Sequence, residues 1–485
     1  MGPQSPPVTS AVPALLARLA TAIVVAVGAV SPAALPATAM GEPVFAVHGA
    51  SAPGPARYDR VLVQRFGPAS ARTVLVLTPG STSGAGVFTF VARDLVRAVP
   101  GLQVWAVDRR EQAFEDTGVM TAGDGERALR YYVQRQAVDG RTFRPPPVAQ
   151  VRFMGGWGLR LLLGDLRQVV LRARREGHRV VLGGHSLGAA VAEAYATWDF
   201  AGHAGARDLS GLVLIDGGLL SGRAAPTLAE VRAELDDIRA TGPREDIFRQ
   251  ATPWAYGVIS GVAGLLARNA PDAASPLDAE SLVPGFARPP VPSTNAAWIG
   301  HAEQVLYPPS GPAAAHAGHL AAEGDPRGWV DGDLTPVARL AAWLSQSPLN
   351  TVDWYTPRRL LLDVRVARSL TPTRLTRLLG LPLRHRGSLS LPTYAFQTSS
   401  FPTVLAGARR LRRVSHIPAL RLVADPTMLH IDPLTASPEH NTFLRTVTPF
   451  LTRISDRQPA APRLKARLRR SAPRSEPSRS PRRVG

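Results

Sequence analysis

The feature that most restricts the fold of this chain is the stretch RVVLGGHSLGAAVAEAYA at residues 179–196. Residues 180–182 form a short apolar run bounded by glycines, which is typical of a strand buried on both faces of a parallel sheet. A helical pattern starts at Leu187 without an intervening loop. The apex of so tight a turn, Ser186, is expected to have a strained backbone, and its neighbours must be small.

The pentapeptide Gly184-His185-Ser186-Leu187-Gly188 therefore has the G-x-S-x-G pattern between a strand and a helix, which predicts a nucleophile elbow. An ordinary glycine-rich turn is the alternative. The sequence resembles the α/β-hydrolase fold family, in particular its lipases and esterases, over most of residues 58–452. The resemblance implies a mostly parallel central sheet flanked by helices, with Ser186 as the nucleophile.

The rest of the chain alternates strand-like and helix-like segments. Short apolar runs predict further strands at 58–66, 72–80, 102–110, 209–218, 391–399 and 417–425. Strands that alternate with helices indicate an α/β fold in which helices cover both faces of a mostly parallel sheet.

This alternation stops between residues 221 and 390. The resemblance implies a cap at this position, after the strand that follows the nucleophile helix, so we predict a large, mainly helical cap over the active site. A separate fused domain is the alternative. The hydrolase core would then comprise residues 40–220 and 391–456. Within the cap, residues 256–270 are apolar on nearly every face, so this helix is either buried or a wall that binds an acyl group.

The N-terminal segment, residues 1–39, has the pattern of a secretory signal peptide. Arg18 precedes an apolar core at about residues 20–30, and Ala37-Thr38-Ala39 is an A-x-A cleavage signal. A membrane anchor is the alternative, but the apolar core is shorter than the roughly 20 residues that span a bilayer. The sequence therefore predicts a secreted protein. The chain contains no cysteine, which excludes disulfides and thiolate metal sites.

The C-terminal segment, residues 457–485, carries ten Lys or Arg against one Glu, which is +9 of the net charge of +19. Its Pro, Arg and Ser content predicts a disordered tail. A basic tail favours an anionic cell-envelope polymer or membrane surface as a partner, and a merely solubilising tail is the alternative. The tail contains no aromatic residue that would stack on bases, so specific nucleic-acid binding is not expected.

A serine nucleophile needs a base within hydrogen-bond reach and a carboxylate that orients the base. Among eleven histidines, His430 follows the last predicted strand and precedes the last helix. The resemblance places the catalytic histidine in that loop. His416 is the second candidate, although it precedes the strand.

The acid is less clearly marked. In most family members it follows the strand that we assign to residues 391–399, but no Asp or Glu is present there. Some lipases carry the acid at the end of the preceding strand, where this chain has Asp216. We predict Asp216 as the acid, with Asp425, Asp363 and Asp432 as alternatives.

Two backbone N–H groups are expected to bind the oxyanion. One belongs to Leu187, which follows the nucleophile. By resemblance to the family's His-Gly-x turn, here Pro79-Gly80, the other belongs to Ser81. Asp108 ends a predicted strand, and we interpret it with Arg109 and Arg110 as a structural ion pair at the strand end.

These residues predict a secreted serine hydrolase that cleaves small-molecule or lipid carboxylic esters through a Ser186-His430-Asp216 triad, without a metal or organic cofactor. His316 and His319 have a ligand-like spacing, but no carboxylate motif accompanies them. An acyltransferase with the same triad and a non-catalytic protein that binds the cell envelope are the alternatives. The sequence does not indicate an oligomeric state.

Overall fold

The computed structural model describes residues 42–221, 225–246, 252–305, 314–456 and 485. The predicted signal peptide and, apart from Gly485, the predicted basic tail lie outside the described residues. Among the helices that are described, none has the length and apolar character needed to cross a membrane.

A single eight-stranded sheet forms the centre of the fold. In chain order its strands are β1 (Val44–His48), β2 (Arg60–Phe66), β3 (Thr73–Thr78), β4 (Leu102–Asp108), β5 (Arg179–His185), β6 (Gly211–Ile215), β7 (Thr393–Gln397) and β8 (Leu420–Ala424). They lie in the order β1-β2-β4-β3-β5-β6-β7-β8. Strand β2 is antiparallel to both of its neighbours, and all the other pairs are parallel. The prediction of a mostly parallel central sheet is confirmed.

The central strands are buried on both faces. All six residues of β3 are buried. Leu75 and Leu77 pack into one hydrophobic cluster, whereas Val74 and Val76 pack into another on the opposite face. Successive side chains of a strand point to opposite faces, so an unbroken apolar run is what two covered faces require.

Helices cover both faces of the sheet. The helices of eight or more residues are α1 (Thr89–Ala98), α2 (Leu159–Arg175), α3 (Leu187–Thr197), α4 (Leu228–Thr241), α5 (Ala255–Asn269), α6 (Asn295–Val305), α7 (Val337–Ser345), α8 (Arg358–Ala367), α9 (Val404–Arg413) and α10 (Thr442–Ser455). Shorter helices span Gly118–Thr121, Gly125–Ala128, Val148–Val151, Arg374–Leu378 and Asp432–Thr435. Helices α1 and α10 pack on one face, and α2, α3 and α9 pack on the other.

The sequence analysis did not predict β1. This strand is only five residues long, and its side chains are mostly exposed or half-buried. It pairs with β2 at the edge of the sheet. Residues 44–47 nevertheless form a short apolar run, Val-Phe-Ala-Val, so the sequence does contain the signal of a strand there.

The described part of the segment between β6 and β7 contains α4 to α8 and a two-stranded antiparallel hairpin, Gly318–Gly324 with Arg327–Asp331. The hairpin was not expected in a mainly helical segment, and it places His319 on a strand, so His316 and His319 do not share a helical face. Helix α5 is buried along nearly its whole length. The domain boundaries at residues 221 and 390 stay a prediction.

Candidate active site

Ser186 lies between the end of β5 and the start of α3, as the sequence predicts. Its backbone has φ 55° and ψ −118°, a conformation that non-glycine residues rarely adopt. Its N–H donates a hydrogen bond of 2.9 Å to the carbonyl of Ile215 at the end of β6. Half-buried, Ser186 remains within reach of solvent. This strained strand-to-helix turn is the geometry of a nucleophile elbow.

The glycines around Ser186 allow backbone segments to approach one another. A Cβ atom at Gly184 would lie 2.3 Å from the carbonyl carbon of Gly188. One at Gly188 would lie 1.9 Å from the carbonyl oxygen of Thr78, and one at Gly217 would lie 2.1 Å from the carbonyl oxygen of Ser186. A larger residue at any of these positions would push apart the strands and helix that meet at the turn.

The structure brings Asp216 and His430 together. The Nδ1 atom of His430 and the Oδ2 atom of Asp216 are 2.7 Å apart, and both side chains are buried. Thr398, which follows β7, donates its N–H to Oδ1 of Asp216 at 2.7 Å and its hydroxyl to Oδ2 at 2.6 Å. Three donors therefore fix the carboxylate. The position after β7, where the resemblance led us to look first for the acid, instead supplies two hydrogen bonds to the Asp216 carboxylate.

Two aromatic rings contact the His430 imidazole. The ring of His185 lies 4.3 Å from it and that of Phe401 lies 4.5 Å from it, measured between centroids. His185 Nε2 is 2.8 Å from the carbonyl oxygen of His430, so this nitrogen carries the proton. Burial, together with the adjacent His430, holds the pKa of His185 well below its usual range. His185 is therefore a neutral support for the His430 loop.

Asp432 attaches the His430 loop to the segment between β6 and β7. Its buried carboxylate accepts the N–H of Leu429 at 2.7 Å, the N–H of His316 at 3.0 Å and the hydroxyl of Thr335 at 2.9 Å. It also pairs with the His316 ring at 2.9 Å, and this hydrogen bond raises the pKa of His316. Asp432 is thus a support of the loop.

The other residues considered as base or acid make different contacts. His416 is exposed and bonds to the carbonyl of Gly387. Asp425 accepts both the N–H and the hydroxyl of Thr427. Asp363 is buried beside α2, where it accepts the N–H of Leu159 and pairs with Arg359; burial raises its pKa to about 6. Each of these side chains is occupied elsewhere, whereas Asp216 bonds directly to the imidazole.

The turn that follows β3 lies against the elbow. A Cβ atom at Gly80 would be 3.2 Å from the Cβ atom of Ser186, so only a small residue permits this approach. Thr82 has φ 58°, in the left-handed region that disfavours a β-branched residue. We call residues 79–83, which include the predicted donor Ser81, the oxyanion turn.

The prediction that Asp108 forms an ion pair with Arg109 and Arg110 at the end of β4 is wrong, because both arginines pair with other carboxylates. Asp108 accepts the N–H of Ala85 at 2.9 Å. Arg109 instead pairs with Glu111 and with Asp353, which lies in the segment between β6 and β7. The pairing with Asp353 joins residues 244 positions apart, so local sequence gives no sign of it.

Arg110 forms a second buried cluster with a different set of partners. Its guanidinium pairs with Asp59 at 2.8 Å and with Asp165 at 2.5 Å, and it donates to the carbonyl of Ala50. The two neighbouring arginines are each 3% exposed. Their different partners give them different roles, which the dipeptide itself does not indicate.

In the part of the chain that the structure describes, no group of three or more His, Asp and Glu side chains is arranged to bind a metal ion. The imidazole and carboxylate that the structure brings together near the elbow are those of His430 and Asp216.

Comparison with known proteins finds no matching family model and no matching curated protein. Several solved structures are similar at low identity. A provisionally assigned lipase from Sulfolobus solfataricus is 15% identical, with a TM-score of 0.48 over 84% of this chain and 93% of that one. Epoxide hydrolase A from Mycobacterium thermoresistibile is 13% identical, with a TM-score of 0.40 over 85% and 97%.

A soluble variant of monoglyceride lipase from Saccharomyces cerevisiae is 12% identical, with a TM-score of 0.37 over 82% of this chain and 91% of that one. The mostly parallel eight-stranded sheet and the elbow at Ser186 define the class of fold more directly than these likenesses. The chain has the α/β-hydrolase fold.

Proposed function

We propose that this chain is a serine hydrolase that cleaves carboxylic esters, with Ser186 as nucleophile, His430 as base and Asp216 as the residue that orients the base. The observation that carries the proposal is the 2.7 Å contact between His430 Nδ1 and Asp216 Oδ2 in the loop beside a strained elbow. A buried carboxylate bonded to an imidazole is the arrangement that makes a nearby serine hydroxyl nucleophilic.

The reaction follows from the roles of these atoms. Ser186 Oγ attacks the ester carbonyl carbon while its proton passes to Nε2 of His430, the nitrogen opposite the one bonded to Asp216. The N–H groups of Leu187 and Ser81 stabilise the oxyanion of the tetrahedral intermediate. The intermediate collapses, and His430 returns the proton to the departing alcohol. Water, deprotonated by His430, then attacks the acyl-enzyme to form a second tetrahedral intermediate. This intermediate releases the carboxylic acid while His430 returns the proton to Ser186 Oγ.

Two features favour an ester with an apolar part. Phe401 is partly exposed beside the His430 ring, and Leu187 is half-buried next to Ser186. Apolar side chains at the reacting centre bind an acyl chain or an apolar alcohol better than a charged group, because they offer no compensating hydrogen bonds to a desolvated charge.

The test combines turnover with covalent labelling. The wild-type chain should hydrolyse a short p-nitrophenyl ester and react with a fluorophosphonate probe, and peptide mapping should place the adduct on Ser186. Ser186→Ala should abolish both while leaving the thermal unfolding transition in place. Ser415→Ala is the matched control, because it removes a half-buried hydroxyl that donates to the carbonyl of Leu411 outside the site. A folded wild-type chain with neither turnover nor labelling would instead favour the non-catalytic alternative.

A further inference from the structure

The carbonyl groups of the oxyanion turn are held by donors from outside the turn. Arg109 donates from Nη1 to the carbonyl of Gly80 at 2.8 Å and from Nη2 to the carbonyl of Ser83 at 2.9 Å. On the other side, the N–H of Asp353 donates to the carbonyl of Thr82 at 3.0 Å. Three carbonyls in four residues are therefore bound from outside the turn.

The direction of the Gly80 carbonyl matters because it shares a peptide unit with the N–H of Ser81. That unit is planar and trans, so its C=O and N–H point in opposite directions. A guanidinium that fixes the Gly80 oxygen on one side thereby fixes the Ser81 N–H on the other. A Cβ atom at Gly80 would lie only 3.2 Å from the Cβ atom of Ser186, so this peptide lies at the elbow.

The turn needs this support. Thr82 has φ 58°, and a non-glycine residue in the left-handed region persists where surrounding contacts enforce it. Those contacts come from the segment between β6 and β7. In addition to the bond from Asp353 to Thr82, Gly84 donates to the carbonyl of Thr351 at 3.0 Å, and Gly86 donates to the carbonyl of Asn350 at 3.1 Å.

The Arg109 guanidinium is itself held in place by two carboxylates, those of Glu111 and Asp353. Only 3% exposed, it bonds to Asp353, and its Nε lies 2.9 Å from Glu111. The carboxylates raise the pKa of this guanidinium against the opposing effect of burial, so it stays charged. A planar guanidinium can reach two carbonyls and a carboxylate at once, which a lysine ammonium at the end of a flexible chain cannot do in the same geometry.

We propose that Arg109, anchored by Asp353, is a positioning residue that sets the direction of the Ser81 oxyanion donor. The inference rests on the proposed function and adds a residue that the triad does not include. Arg109 acts through the Gly80-Ser81 peptide without touching substrate. The segment between β6 and β7 thereby contributes to transition-state stabilisation through Asp353.

The experiment compares Arg109→Lys with Arg110→Lys in the full chain. Both changes affect an arginine that is 3% exposed and paired with two carboxylates, but only Arg109 bonds to the oxyanion turn. Both variants should lose stability. We expect only Arg109→Lys to lower kcat for a p-nitrophenyl ester, by about 10²-fold with KM nearly unchanged, since a misplacement of about 1 Å at the reacting centre costs about that much.

The affinity for a boronic acid provides a second measurement, which should not change if Arg109 only stabilises the fold. Boron forms a tetrahedral adduct with the serine and mimics the transition state, so its affinity should fall by about the same factor as kcat/KM. Asp353→Asn keeps the shape of the anchor and its backbone N–H, and should lower kcat on the order of tenfold, because a neutral hydrogen bond replaces a charge-assisted one. This second variant tests the inference even if Arg109→Lys fails to fold.

Equal kcat values for folded Arg109→Lys and Arg110→Lys would overturn the inference while leaving the proposed function intact. The same holds for an Arg109→Lys defect confined to KM with unchanged affinity for the boronic acid. If Arg109→Lys does not fold, an Asp353→Asn variant with wild-type kcat overturns it. A wild-type chain that shows neither turnover nor labelling at Ser186 would overturn the proposed function and the inference with it.

Discussion

Replacement of Asp216 by asparagine tests the contact between Asp216 Oδ2 and His430 Nδ1, because it exchanges one carboxylate oxygen for an NH₂ group. In the native site, Oδ1 accepts the N–H of Thr398, while Oδ2 accepts the Thr398 hydroxyl and faces Nδ1 of His430. The Thr398 N–H can only donate, so the asparagine carbonyl must occupy the Oδ1 position. The amide NH₂ then faces the imidazole, and it stabilises the tautomer in which Nε2 carries the proton.

An imidazole with a proton on Nε2 cannot accept the proton of Ser186. The equivalent change in a Ser-His-Asp protease lowers turnover by about 10⁴-fold, and we expect a loss of that order here. This corresponds to about 5 kcal/mol of transition-state stabilisation. Because asparagine retains a bond to Thr398, the free energy of unfolding should change far less than the activation barrier.

The assay is turnover of a p-nitrophenyl ester together with the rate of fluorophosphonate labelling, and denaturant unfolding provides the stability. Asp425→Asn is the matched control, because Asp425 also accepts the N–H and the hydroxyl of a threonine but lies apart from the imidazole. It should retain nearly full activity. An active Asp216→Asn variant beside a crippled Asp425→Asn variant would show that the acid is assigned to the wrong strand.

Two further predictions concern stability. Burial raises the pKa of Glu193 in α3 from 4.5 to about 7, so the protein loses stability as pH rises through that range. The free energy of unfolding of Glu193→Gln, relative to that of wild type, should therefore be higher at pH 8 than at pH 4 by up to about 3 kcal/mol. A difference in denaturant unfolding that does not change with pH would contradict this. Gly188→Ala should destabilise the fold by more than the usual cost of about 1–3 kcal/mol for overpacking, because its Cβ atom would overlap the Thr78 carbonyl. Gly387→Ala is the control and should be nearly neutral, because no atom lies within 4 Å of the new Cβ atom. Similar melting temperatures for the two variants would refute this explanation.

The central strands and the elbow could be predicted because each is encoded in a few adjacent residues. The run at 180–182 with its flanking glycines specifies a strand buried on both faces, and the direct start of α3 specifies the turn at Ser186. No acid follows β7, so Asp216 is predicted as the acid from the resemblance to lipases that carry it at the end of the preceding strand. The structure adds what the sequence did not suggest, namely that Thr398 occupies that position and donates both of its hydrogen bonds to Asp216.

The supports of the site could not be predicted because they join distant parts of the chain. Arg109 and Asp353 are 244 residues apart, and His316 and Asp432 are 116 residues apart. Neither pair leaves a local pattern, since an arginine after a strand or an aspartate before a proline has many ordinary roles. The hairpin from residue 318 was missed for a related reason, because its mostly half-exposed residues form no apolar stripe.

These long-range pairs change what the segment between β6 and β7 must do. A lid that only covers a cleft can be shortened without disturbing the groups beneath it. Here the segment supplies Asp353 to the oxyanion turn, and it supplies His316 and Thr335 to the loop that carries His430. Removing it would take one counter-ion from the buried Arg109 and three hydrogen bonds, two from His316 and one from Thr335, from the buried Asp432 carboxylate. Buried charges that lose their partners are strongly destabilising. The segment is therefore part of the structure that holds both sides of the candidate site in place.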